Sequence, residues 1–179
     1  MTPVDRFVSE ILKCENCTVE RYAAHEAGHR FMWRLMFPDV RTHYGYQGGL
    51  HAVLTENPQV LDIRDMDQKT AAGHAHVKLA GFAAEMRMIG LGGAWEEIGK
   101  FLVADYNAIH PRLDWMDDWE HHGDIPEAMN IISLAAGRAS LAANLPRFIH
   151  NCLFMLDAEA DAYQAEWAEA IAFFRRNRA

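Results

Sequence analysis

The sequence predicts a mainly α-helical single domain that carries one small β element. Three observations lead there. The 179 residues are half apolar, enough to bury a core, and contain no internal repeat and no Ser-, Gly- or Pro-rich linker. Most of the chain falls into long segments bounded by helix start and stop signals. One stretch, residues 40–55, breaks that pattern with β-branched and aromatic residues.

The elements follow in order. Val4 to Lys13 reads as a short amphipathic segment. Thr18 stands where an N-cap belongs, with Glu20 in the first turn, and opens a helix to Phe37 that Pro38 stops. Val40 to Thr55, around Tyr44-Gly45-Tyr46-Gln47-Gly48-Gly49, fits two short strands or a hairpin. Asp62 to Ile89 is expected to be helical and to end at Gly90. Trp95 to Ala108 reads as a further helix, and His110 to Gly123 as an irregular stretch rich in Trp and Asp. Asp124 is expected to start a helix reaching Asn144, with Pro126 in its first turn. Pro146 then admits one long C-terminal helix to Arg176. Its seam of Leu156, Ala160, Tyr163, Trp167, Ala170 and Phe174 reads as core or a helix-packing surface.

Charge and composition exclude several functions. With 17 Lys+Arg against 25 Asp+Glu, the chain lacks the basic footprint of a nucleic-acid binder. No apolar window reaches the ~20 residues of a membrane span, so no membrane insertion is expected. The start Met-Thr-Pro-Val-Asp shows no secretory leader, and three Cys do not staple a secreted mini-domain. A cytoplasmic protein is the expectation. Ten His in an acidic chain are the unusual count, since imidazole is the commonest metal ligand.

Two of them form a motif. His25-Glu26-Ala27-Gly28-His29 matches HExxH inside the first long helix. Residues i and i+4 project from one helical face, so both imidazoles can reach a single Zn²⁺. Glu26 lies about 100° round the helix, where its carboxylate can take a proton from a water acidified by zinc. Chance alone would supply roughly 0.04 such matches in a chain of this composition. Gly28 adds weight, because glycine inside a helix costs about 1 kcal/mol relative to Ala and implies close packing of another element. Elsewhere, His74 and His76 lie two apart on a helix and are expected to face solvent. Cys14-Glu15-Asn16-Cys17 has no second CxxC to complete a structural zinc site and reads as free thiols or a redox-labile pair.

The segment Thr18 to His29, with its HEAGH, resembles the zinc helix of the FtsH-type AAA-protease peptidase domain. A second block, Leu79-Ala80-Gly81-Phe82-Ala83-Ala84-Glu85-Met86-Arg87-Met88-Ile89-Gly90, is similar to that family's LxGRAAEExxxG helix. A third, Gly123-Asp124-Ile125-Pro126-Glu127-Ala128-Met129, is similar to its NDxxxAT block. The blocks keep family order over residues 18–145, leaving 146–179 for the C-terminal helix.

The resemblance implies a helical, zincin-like fold with a small sheet beside the zinc helix. It implies Zn²⁺ held by His25, His29 and Asp124, with Glu26 as general base and peptide-bond hydrolysis as the reaction. It also places Gly48, Gly49, Leu50 and His51 on a substrate strand, where an extended polypeptide adds to the edge and His51 can face an oxyanion. Glu85 matches the family's carboxylate and is expected either to orient a ligand imidazole or to form a structural ion pair.

Several departures accompany the match. Asp124 opens a helix, where a carboxylate is also an ordinary cap. His121 and His122 rival it as third ligand, with Asp117, Asp118 and Glu120 close by. Phe82 and Met86 replace family polar positions, and residues 95–122, with Trp115 and Trp119, read as an insertion. No phosphate-binding loop is present, so substrates are expected to be unstructured or delivered by a separate ATPase or adaptor. A catalytically inactive binding module that keeps the fold is the alternative.

Overall fold

Thr18 acts as its position predicts: its hydroxyl accepts from the Arg21 N–H and opens α2 (Val19–Met36), which ends before Pro38. The computed structural model describes residues 1–13, 17–47, 50–56, 66–109 and 123–177. Ahead of α2, α1 (Pro3–Arg6) is held by a reciprocal Thr2–Asp5 capping box. It runs on into a π-helical turn (Phe7–Leu12) that buries Phe7 and Ile11.

After α2 comes the hairpin. β1 (Thr42–Gln47) and β2 (Leu50–Thr55) pair antiparallel, from Thr42 opposite Thr55 to Gln47 opposite Leu50. Tyr44, on its inner face, is buried against Phe173 and Phe174. Helix α3 (Gln68–Met88) starts later than the Asp62 expected, because the Asp67 carboxylate accepts from the Thr70 N–H and caps it there. It ends as expected at Gly90, whose φ of 75° is open to glycine and strained for other residues.

A 3₁₀ turn (Gly92–Ala94) leads into α4 (Trp95–Ile109). Helix α5 (Asp124–Ala136) is shorter than the expected run to Asn144, because Gly137 at φ 84° terminates it. The C-terminal region is two helices, not one. After a 3₁₀ turn (Arg138–Ser140), α6 (Leu141–Ala158) begins ahead of Pro146 and carries that proline inside it. The chain leaves helical geometry at Glu159, with φ −114° and ψ 42°, and resumes as α7 (Ala160–Arg176).

Helix α2 is the central element, with α3 on one side and α7 on another, and the hairpin laid across it. The expected seam is core: Leu156, Tyr163, Ala170 and Phe174 are buried, and Trp167 packs partly buried beside them. Two of its residues also tie α7 to α2. Tyr163 Oη donates to the Ala24 carbonyl at 3.3 Å, and Trp167 Nε1 to that of Glu20 at 2.9 Å. Helices α5 and α6 cover the outer side of α3, and α4 packs on α6. Among the described residues, no helix is long and apolar enough to cross a membrane.

Candidate metal centre

The site forms where α2, α3 and the first turn of α5 meet, and glycine permits the meeting. A Cβ on Gly28 would lie 2.4 Å from the Ala80 carbonyl oxygen, so α3 passes against the HExxH turn only because that position is bare. Gly81 does the same from the other side. A Cβ there would stand 2.6 Å from His29 Nε2 and 2.7 Å from His25 Nε2. The close packing that Gly28 implied in the sequence is therefore present, and α3 supplies it.

The two imidazoles converge with one carboxylate. His25 Nε2 and His29 Nε2 lie 2.9 Å apart, and Asp124 Oδ2 lies 3.7 Å from the first and 3.2 Å from the second. Among the described residues, His25, His29 and Asp124 form a group whose ligand atoms all fall within 4.8 Å of one another. Asp124 is the first residue of α5, after the N-cap Gly123, and its carboxylate is turned into the cluster. His121, His122, Asp117, Asp118, Glu120, Trp115 and Trp119 lie outside the described residues, as do Gly48, Gly49 and Cys14.

The hydrogen bonds behind the ligands decide what the cluster accepts. His29 Nδ1 lies 2.7 Å from the Val77 carbonyl, which only accepts, so that nitrogen carries the proton. His25 Nδ1 lies 2.7 Å from Glu85 Oε1. Burial alone would raise the Glu85 carboxyl, but His25 and the Arg21 guanidinium hold it below its usual range, so it accepts too. Both Nε2 lone pairs thus point at each other and at a carboxylate oxygen. Such an arrangement calls for a positive species in the middle, and a divalent ion with N/O preference fits the donor set. With a proton in that place, burial opposes the His25 imidazolium, yet Asp124 and Glu85 lift its pKa to about 10. Burial also opposes the Asp124 carboxylate, and His29, His25 and Lys78 overcome it and hold Asp124 well below its ordinary range.

Glu85 makes two contacts at the cluster. One oxygen orients His25, and the other is paired with Arg21 Nη2 at 2.9 Å in an ion pair buried on both sides. Arg21 also donates to the Glu10 carbonyl and so fastens the N-terminal π-helical turn beneath the site. Phe82 and Met86 pack into the wall of the site. Phe82 is buried edge-on to His25 at 5.0 Å between ring centres, and Met86 is fully buried.

Glu26 stands beside His25, His29 and Asp124, 8% exposed, with the Val53 backbone of β2 near its carboxyl. Burial pushes its carboxyl up from the ordinary value, and the neighbouring imidazoles His29 and His25 pull against that. β2 therefore flanks the carboxylate, and β1 is its one strand neighbour among the described residues. Leu50 and His51 lie on β2, paired with Gln47 and Tyr46.

Three expectations are corrected or extended. His74 and His76 do not face solvent freely. His74 packs edge-on to Trp33 and tilted against Phe37, His76 packs tilted against Phe148 and bonds the Ala72 carbonyl, and burial lowers both pKa values. Cys17 is disulfide-bonded, and Cys152 is a free, buried thiol. Sequence reasoning missed Arg21 and Lys78. Arg21 sits one turn before His25 on the same face, and Lys78 is a lone charge in the otherwise apolar run from Val77 to Ala84. The Val77 carbonyl has no side-chain signature at all. Compared with protein-family models, characterised proteins and solved structures, the chain matches none.

Proposed function

We propose that this chain is a zinc-dependent metallopeptidase of the HExxH type, with a zincin-like helical fold similar to that of the FtsH-type peptidase domain. The observation that carries the reading is the convergence of His25 Nε2, His29 Nε2 and Asp124 Oδ2 within 4.8 Å, with Glu26 buried beside them. His25, His29 and Asp124 would hold the ion. Zinc, when bound, supplies Lewis acidity, which polarises a carbonyl and makes water ionise near neutral pH.

The protein's own groups do the remaining work. Glu26, made more basic by burial while the adjacent imidazoles favour its ionised form, takes a proton from water and returns it to the leaving amine. Glu85 and the Val77 carbonyl keep both imidazoles in the tautomer whose Nε2 faces the centre. β2 receives an extended polypeptide by strand addition, which brings a backbone carbonyl past Glu26. Such a cleft takes unstructured chains, delivered by a separate ATPase or adaptor where the substrate is folded, in a cytoplasmic setting.

The test has two parts. Protein purified without chelators should contain about one zinc per chain by elemental analysis. Loaded protein should cleave an unfolded casein-like substrate, and Glu26→Gln should keep the zinc while losing about 10²–10⁴-fold in rate. Metal content near zero that added zinc does not restore defeats the reading. Bound zinc with no cleavage by the wild type points instead to an inactive binding module.

A further inference from the structure

Helix α3 holds the second atom of every proposed ligand, and one of its contacts has no counterpart in the chemistry described above. The Val77 carbonyl holds His29 Nδ1, and Glu85 holds His25 Nδ1. The third is Lys78, whose Nζ donates to Asp124 Oδ1 at 3.0 Å while Asp124 Oδ2 faces the imidazoles. Glu127 Oε2, 2.7 Å from the same ammonium, anchors Lys78 from the next turn of α5.

We infer that Lys78 is a positioning residue that restricts Asp124 to one coordinating oxygen, and so keeps the ion four-coordinate with one position open to water or substrate. The inference rests on the zinc reading and adds to it. A free aspartate beside a divalent ion can turn both oxygens inward, which fills the position that a hydrolytic zinc site leaves open. Here Oδ1 accepts a charge-assisted hydrogen bond from Lys78, so turning it towards the ion costs that bond. Rotating Asp124 towards bidentate binding would strip the ammonium of one of its two carboxylate partners. The ammonium also offsets the carboxylate's charge, which leaves more of the metal's positive charge to act on water. The location explains why a cation is present there at all. Lys78 follows Val77 directly and lies one turn before Gly81, so the turn of α3 that clears space for the ligands also directs their outer contacts.

Cobalt(II) titration followed by visible absorption tests this, because the intensity of the d–d bands reports coordination number. Wild-type protein should take up about one cobalt per chain with the strong absorption of a four-coordinate site. Lys78→Met should still bind cobalt, but with its band reduced by roughly threefold or more as Asp124 becomes bidentate. Lys78→Arg, which restores a donor, should return the strong band. Lys78 is 33% exposed, so the Met side chain is accommodated, and Lys78→Ala should repeat the loss should Met disturb the helix. Unchanged bands in both Lys78→Met and Lys78→Ala, with helical circular dichroism intact, overturn the role of Lys78 and leave the metal site standing. No cobalt band in the wild type overturns both.

Discussion

His29 and Arg30 are adjacent in sequence, yet α2 turns them into two buried polar clusters of opposite character. On the Arg30 side, Glu166 of α7 is buried and fully matched. Arg30 Nη1 lies 3.2 Å from it, Arg34 pairs with it, and Tyr44 Oη donates to its backbone carbonyl at 3.1 Å. Arg30 also reaches Glu169 at 2.6 Å and lies over the Tyr44 ring at 4.6 Å. Two carboxylates meet two guanidiniums, and the cluster is electrostatically closed. On the His29 side, Glu85 is matched by Arg21 and one oxygen of Asp124 by Lys78, but both Nε2 atoms and the second oxygen face one another. The first cluster reaches solvent through the half-exposed Arg34 and Glu169, whereas His25, His29 and Glu85 are more deeply buried. What differs is the centre of each: the first is held by ion pairs, while in the second two imidazole nitrogens and a carboxylate oxygen converge on one another. A buried polar cluster points to a metal when acceptor atoms converge in it; the buried Arg30 nitrogens that lack a hydrogen bond are donors and call for none.

The largest effects should come from crossing the two clusters. His29→Ala should abolish zinc uptake, measured by elemental analysis, with little loss of helical signal. Glu166→Ala should do the opposite. It leaves the buried Arg30 with only the half-exposed Glu169, costing about 3 kcal/mol in urea unfolding while zinc content stays at the wild-type level. Zinc lost with Glu166→Ala, or retained with His29→Ala, would break the distinction between the clusters.

Gly81→Ala sharpens it further. The added methyl meets both Nε2 atoms, so zinc affinity in a competitive chelator titration should fall by roughly tenfold or more. Acidity should act on the metal side. Because Asp124 and Glu85 hold a proton on His25 up to about pH 10, zinc must displace it. Affinity should therefore rise about tenfold per unit as pH increases through the neutral range, with proton release seen in calorimetry in different buffers. An affinity independent of pH would remove that proton from the site. The smallest effect belongs to Thr18→Ala, which removes the α2 cap at a cost of about 1 kcal/mol and should leave the zinc content unchanged.

What the sequence made legible was local. The N-cap at Thr18, the stop at Gly90, the hairpin over residues 40–55 and the buried seam from Leu156 to Phe174 each rest on residues a few positions apart. Where local signals competed, the reading slipped. Pro146 suggested a helix start because proline suits a first turn, but α6 had already begun at Leu141. Glu159 interrupts what periodicity alone carried through as one helix, because a period of 3.6 does not register a single residue leaving helical geometry.

The same division runs through the candidate site. HExxH sets His25, His29 and Glu26 on one side of α2 by helical geometry alone, so those three positions were determined by sequence. Asp124 was reached through resemblance, and only packing turned it from a helix cap into a partner of the imidazoles. The outer contacts were decided entirely by tertiary structure: Val77 to His29, Glu85 to His25, Lys78 to Asp124. These pairs are separated by 48, 60 and 46 residues, and no local rule brings them together. They depend on two bare glycines letting α3 lie against α2, a condition set by the approach of two backbones that no residue spacing encodes.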